Sequence, residues 1–258
     1  MRSVFSKNGL LALKSLAATN CIYAFDFDGT LSRITGFPAE ASIAPSTNRL
    51  ISRLSALAPI AVVSGRSVKD LSSRLKFYPE HLIGNHGIET EEQDIGSLQF
   101  FETLCKGWLA ALEDCKFPFG SELEDKGYSL AVHFRHSRNK TAAKREIESV
   151  LTQLVPSPRL VGGKSVVNVL PNRGPNKGKA VLGMLQTAGV TKLVYVGDDV
   201  TDEDVFSLAD PNILTIRVGH KNSSSAQYYL KQQSDINRLI RTIIAFEQFE
   251  LRDVLPAK

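Results

Sequence analysis

Ile22-Tyr23-Ala24-Phe25-Asp26-Phe27-Asp28-Gly29-Thr30-Leu31 is the stretch on which the fold turns. Residues 22–27 are apolar almost throughout. An unbroken rather than alternating apolar run suits a parallel strand covered on both faces. Two acids close the run, spaced two apart, so an extended chain carries both carboxylates on one side. Gly29 then allows a sharp turn. With apolar flanks, plain solvation is a poor reason for two acids here. One carboxylate could attack phosphorus while the other gives and takes protons. An acidic turn or a metal-only site are the alternatives.

Four more apolar runs read as strands of the same kind: Ile60–Val63, His81–Ile83, 192–196 and Ile213–Val218. Helical spacing marks 45–57 and Lys177–Ala188, and Gly189 suits the stop of the second helix. Strand and helix alternation predicts an α/β fold with a doubly wound, mainly parallel sheet. The middle of the chain changes character. Helices are expected over 98–116, which contains Trp108, and over 140–154. A strand is expected over 128–134, and a hairpin from 159–161 and 165–170 around Gly162-Gly163. This is an α+β unit inserted in the first domain. It divides the chain into a first core half (1–96), an insert (97–171) and a second core half (172–258). Residues 1–20 carry basic groups and no acid. Lys14 interrupts their apolar stretch, which favours a short amphipathic helix over a targeting segment.

Composition narrows the function classes. Of 258 residues 43% are hydrophobic and 22% charged, with a net charge of +4. Disorder, collagen and coiled coil are excluded on these values. A nucleic-acid binder usually carries a larger or more clustered basic surplus. Three cysteines without a CxxC spacing suit a reducing cytoplasm. No apolar run is long enough for a membrane span. A monomer acting on a small molecule, with no nucleic acid or membrane partner, is expected.

Three further motifs carry chemistry. Val62-Val63-Ser64-Gly65-Arg66 ends a strand in a hydroxyl and free backbone N–H groups, which can hold a phosphoryl oxygen. A simple Ser/Gly turn or helix cap is the other account. Asn176-Lys177-Gly178 places a lysine at a helix start, where the dipole disfavours cations unless an anion sits beside them. Otherwise Lys177 is an exposed surface lysine. Finally, residues 198–204 hold five acids in seven positions after the strand at 192–196. Asp198 and Asp199 would emerge at the strand end as hard oxygen ligands. Thr201, Asp202, Glu203 and Asp204 resemble a helix capping box. Glu203 and Asp204 go to that account, and Asp202 stays open between the two.

Taken together and in this order, the four motifs resemble those of the haloacid-dehalogenase (HAD) superfamily of phosphotransferases. The resemblance implies a Rossmann-like core with an α+β cap. It implies Asp26 as nucleophile, Asp28 as general acid and base, and Gly29, Thr30, Ser64, Gly65 and Lys177 around the phosphate. Asp198, with Asp26, Asp28 and supporting Asp199, would hold Mg²⁺. The 36 positions from Asp28 to Ser64 are too few for a cap, so it lies in the 113 positions from Ser64 to Lys177. That placement is similar to the sugar-phosphatase branch. Residues 196–206, Gly84-Asn85-His86-Gly87-Ile88-Glu89 and 124–135 resemble segments of trehalose-6-phosphate phosphatases. Arg66, His86, Glu124, Lys126 and Asn168 are then candidate substrate contacts, with a polar strand end or a structural histidine as the alternative. One segment departs. Where that family carries a glutamate and then Val-Arg-Pro, this chain has Asn168-Val169-Leu170-Pro171. Asn168 keeps hydrogen bonding but brings no charge. The expected function is Mg²⁺-dependent hydrolysis of trehalose 6-phosphate. The competing readings are another sugar phosphate, a phosphoryl shift within one sugar, and a silent sugar-phosphate-binding regulator.

Overall fold

The computed structural model describes residues 1–17, 20–91 and 93–254. Residues 18 and 19 of the expected N-terminal helix, and 255–258 of the expected second core half, lie outside the described residues. The core elements are β1 (Arg2–Ser3), α1 (Lys7–Ala17), β2 (Cys21–Phe25), α2 (Pro45–Ser55), β3 (Ile60–Val63), α3 (Val68–Arg74) and β4 (His81–Ile83). An inserted unit follows: α4 (Ile95–Leu112), β5 (Glu122–Asp125), β6 (Leu130–His133), α5 (Lys140–Leu151), β7 (Arg159–Gly163) and β8 (Val166–Leu170). The core resumes with α6 (Lys177–Ala188), β9 (Lys192–Gly197), α7 (Glu203–Phe206), β10 (Ile213–Val218), β11 (Tyr228–Leu230) and α8 (Ile236–Val254).

The seven core strands run β1-β11-β10-β9-β2-β3-β4 and pair in parallel throughout. Alternate residues of β2 face opposite layers. Tyr23 and Phe25 join Leu13, Ile51 and Ile240 on one side, while Ile22 and Ala24 join Val181, Met184 and Phe206 on the other. Both faces are covered, which is why these strands read as continuous apolar runs. From β2 the chain winds outward one way through β3 and β4. From β9 it winds the other way through β10 and β11. The sheet therefore reverses direction between β2 and β9, where the carboxyl ends leave an open crevice.

The insert forms a separate antiparallel sheet, β5-β6-β8-β7. One face packs on α4 and α5 through Trp108, Leu112, Ile147, Leu130, Val132, Val167 and Val169. The other face presents Glu124, Ala131 and Asn168 in register across three strands and looks into the crevice of the core sheet.

Two local expectations change. The hairpin turns at Lys164-Ser165, where Ser165 has φ +65°, and Gly162-Gly163 belong to β7. Gly163 is small for a different reason: a Cβ there would come within 2.8 Å of Val166 Cγ1 and 3.0 Å of Asp199 Oδ2 in the core. The capping box is absent, although Glu203 and Asp204 do stand in the first turn of the helix. Helix α7 starts at Glu203 after Asp202, which gives it no side-chain cap, because tertiary partners take the Asp202 carboxylate instead.

Candidate active site

Strand β2 ends at Phe25, so Asp26 sits just past it in the crevice. Its N–H donates to Val196 O of β9 at 2.8 Å. The following turn closes through Gly29 N–H to Ser32 O at 2.8 Å. Gly29 has φ +86°, and a Cβ there would lie 2.1 Å from Asp198 Oδ2. A side chain is excluded by conformation and by space alike. The first and fourth motifs meet at this point.

Lys177 is 1% exposed, which rules out a surface lysine. At the first turn of α6, after the Asn176 cap, it donates to Asp26 Oδ1 at 2.8 Å and Asp202 Oδ1 at 2.7 Å. Burial pulls its pKa down, but Asp202 and Asp26 outweigh that and hold it well above the usual lysine range. Asp202, left open by the sequence, is fully buried and takes four donors. They are Lys177, the Tyr195 hydroxyl at 2.7 Å, and the N–H groups of Asp198 and Asp199 at 2.8 Å each. It positions the lysine and folds the acidic loop. Glu203 turns outward to Arg217 at 3.0 Å and accepts the Ser225 N–H. Arg217 in turn donates to the Asp198 and Asp199 carbonyls.

Burial pushes the Asp26 carboxyl well above its usual range against the pull of Lys177. It pushes Asp198 up to about 6, against Lys164, and raises Asp199 as well. Oxygens of Asp26, Asp198 and Asp202 lie within 4.8 Å of one another. Both Asp202 oxygens are already taken, whereas Asp198 Oδ1 is buried with no partner. Four carboxyl groups face two ammonium groups, so negative charge is in surplus. A hard divalent cation between Asp26 and Asp198, with Asp199 nearby, fits this donor set.

Asp28 behaves differently. Its side chain is 41% exposed, and both oxygens accept from Arg66, Nε at 2.6 Å and Nη2 at 2.8 Å. Arg66 lines the cavity, but its donors go to Asp28, Asp70 and the Pro38 carbonyl. Ser64 is buried at the end of β3 and lines the cavity with Gly65. Thr30 Oγ1 is buried without a partner and lies outside the cavity lining.

The insert roofs the site. Lys126 Nζ donates to the Gly65 carbonyl at 3.0 Å and lies 3.9 Å from Glu124. Glu124 also contacts the His133 ring at 2.7 Å. Burial raises Glu124, but His133 and Lys126 outweigh it and hold the carboxyl below its usual range. Asn168 is buried on the same face and donates to Val161 O at 3.3 Å. Leu170 joins Ile88 and Phe101 in a small apolar cluster away from the cavity. His86 is buried on a left-handed backbone (φ 59°). Burial, with Lys126 and Lys177 nearby, holds its pKa well below the usual value, so the ring is neutral. Neither ring nitrogen makes a hydrogen bond of ordinary geometry, and the Asn168 side chain is the polar group beside the ring.

The site therefore gathers Asp26, Asp28, Ser64, Gly65, Lys177, Asp198 and Asp199 with Arg66, His86, Glu124, Lys126 and Asn168 around one cavity. Gly29 stands under Asp198, and Thr30 is left behind the turn. Sequence reasoning missed Lys164, whose ammonium pairs with Asp198 Oδ2 from the β7–β8 turn. It also missed Asn85, which donates to the Lys126 carbonyl at 3.1 Å and accepts from Ser129. The 84–89 segment had been singled out, but a buried asparagine gives no pattern of its own. An exposed turn lysine such as Lys164 gives none either.

The trehalose-phosphatase family profile matches residues 24–234. The chain belongs to that family. It is 33% identical over 208 residues to the trehalose-phosphate phosphatase of Mycobacterium tuberculosis, covering 76% of this chain and 53% of that protein. The chain thus spans about half the length of the mycobacterial relatives it matches. It is 26% identical to a probable trehalose-phosphate phosphatase of Arabidopsis thaliana, covering 86% and 71%. Among solved structures it superposes on the C-terminal domain of the Candida albicans trehalose-6-phosphate phosphatase with a TM-score of 0.72 at 19% identity, covering 91% and 96%. A trehalose-6-phosphate phosphatase related protein gives 0.70 at 23%, covering 90% and 99%. At such identities these two superpositions speak for the fold.

Proposed function

We propose that the chain hydrolyses trehalose 6-phosphate to trehalose and phosphate with Mg²⁺ as cofactor, as a cytoplasmic monomer whose insert (97–171) acts as a cap. One observation carries the reading: a buried carboxylate, Asp26, is held by a buried lysine at the switch point of a parallel sheet, under a polar roof. Asp26 attacks phosphorus, forming a carboxylate oxygen–phosphorus bond as the bond to the sugar oxygen breaks. Asp28 gives its proton to the departing oxygen and later takes one from the water that cleaves the aspartyl phosphate. Lys177 and Ser64, with the Gly65 backbone, hold the phosphoryl oxygens. Mg²⁺, held by Asp26, Asp198 and the Asp28 region with Asp199 in support, would offset the repulsion between anionic nucleophile and anionic phosphate.

The geometry adds a requirement. Both Asp28 oxygens accept from Arg66. Asp28 must leave Arg66 before it can face the departing oxygen. Glu124, Lys126, His86 and Asn168 are the sugar contacts, and the cap excludes water from the aspartyl phosphate. No helix of the described residues is long and apolar enough to cross a membrane.

A phosphate-release panel with Mg²⁺ tests the reading. Trehalose 6-phosphate is expected among the best substrates by kcat/KM. Asn168, standing where a charged residue was expected, favours a second reading with another sugar phosphate. A hexose phosphate or a glucosyl- or mannosyl-glycerate phosphate ahead on the panel would establish it.

A further inference from the structure

Core residues 33–41 form a loop on the cavity rim, and arginines on both sides pin it. Arg135 of the cap donates to the Thr35 carbonyl at 2.5 Å. Arg66 donates to the Pro38 carbonyl at 2.9 Å. Arg74 reaches the Ala39 and Ala41 carbonyls at 2.9 Å each. Inside the loop, the Thr35 hydroxyl donates to Phe37 O at 2.6 Å. A loop held at this many points is not free to bury its apolar side chains, and Phe37 is still 54% exposed. Its ring stacks on His136 of the cap with centroids 5.0 Å apart and planes 29° from parallel. Both rings line the cavity, beside the half-exposed Ile34. The cavity thus has two characters. The inner part is charged, built on Asp26, Lys177, Asp198 and Lys126. The outer rim is apolar and aromatic. Phe37, His136 and Ile34 together leave an apolar surface open at the mouth of a polar site, where a ligand can lie against it.

We infer that Phe37, backed by His136, is a specificity-determining platform for the second ring of a disaccharide phosphate. This rests on the function proposed above. A pyranose is polar around its edge and apolar on its C–H faces. Those faces are slightly positive and match the negative face of an aromatic ring. The phosphate and the first ring occupy the charged inner part. A second ring has to leave toward the rim, where Phe37 offers an apolar surface that single-ring substrates do not reach. Because the pair joins core to cap, the platform forms only when the cap lies over the core.

The test compares trehalose 6-phosphate with glucose 6-phosphate, which share the reacting end and differ by the second ring. Turnover of trehalose 6-phosphate by the wild type decides the function first. Its absence would sink that reading, and the platform's occupant with it. In Phe37→Ala, the kcat/KM ratio of trehalose 6-phosphate to glucose 6-phosphate should fall at least about fivefold, chiefly through KM. Phe37→Tyr should restore it. His136→Ala should lower the ratio less, since that ring only supports Phe37. Equal losses on both substrates would overturn the platform and leave the pair as a mere cap latch. Wild-type kcat/KM on both substrates would overturn it outright.

Discussion

The floor and the roof of the site are built in opposite ways. On the floor, Lys177, Asp198 and Asp202 are 1%, 2% and 0% exposed. The Lys177–Asp202 pair is held by several partners, backbone N–H groups included. On the roof, the side chains of Lys164 and Glu124 are 52% and 42% exposed; Lys164 meets the core through its ammonium at Asp198, and Lys126 does so at the Gly65 carbonyl. Floor charges are fixed by β2, β9 and α6, which cannot move separately because they share one hydrophobic core. Roof charges ride on a sheet with its own core of Trp108, Ile147 and Val167. Chemistry that tolerates little displacement sits on the rigid side. Under the proposed function the reacting groups lie on the floor, and the sugar contacts are shared between the roof and Phe37 of the core rim.

Four changes would break or sharpen that contrast. The largest effect is expected from Asp26→Asn, which removes the proposed nucleophile. Turnover should drop at least about a thousandfold while circular dichroism and melting stay near wild type. Retained activity in the purified variant would remove Asp26 from its role. Next comes Asp202→Ala, which strips Lys177 of one carboxylate and leaves Tyr195 and two N–H groups unpaired. Breaking a buried ion pair costs about 3–5 kcal/mol, read from urea denaturation midpoints. A loss below 1 kcal/mol would show the floor to be as tolerant as the roof.

Lys164→Ala tests the roof. A half-exposed ammonium contributes at most about 1 kcal/mol. The expected result is a small loss of stability with faster proteolysis of the insert. The smallest effect concerns Asp70. Burial raises its carboxyl, but Arg74 and Arg66 outweigh that and hold it below its usual 3.8. Its folded pKa is therefore lower than the unfolded one. The stability it adds is complete above the unfolded value of about 3.9 and is lost as pH falls through the folded value. With about a third of the side chain in solvent, its worth at neutral pH is under about 1 kcal/mol. Asp70→Asn should lower stability by up to that amount at pH 7 and flatten the stability curve below about pH 4, where variant and wild type converge.

Much of the floor was legible in the sequence. Asp26 and Asp198 each follow an apolar strand, and Lys177 opens a marked helix. Local pattern alone puts such residues at the carboxyl ends of strands or at a helix start. Asp202 was not assignable, because a capping residue and a buried ligand of Lys177 look the same in a row of acids. Gly163 was misassigned for a similar reason. Two glycines between strands suggest a turn, whereas close approach to Asp199 is a contact across 36 positions. The roof was legible as a strand order and as a resemblance, but not as partners.

By itself, the sequence determined the parallel sheet and the placement of Asp26 and Asp198 just past strand ends, because periodicity and strand ends are local properties. Only the tertiary structure decided that Asp202 serves Lys177, that Arg66 holds Asp28, that Lys164 reaches Asp198 and that Phe37 stands at the rim. Each of these depends on which distant surfaces the two hydrophobic cores press together, and a charge or ring on a turn carries no local trace of that.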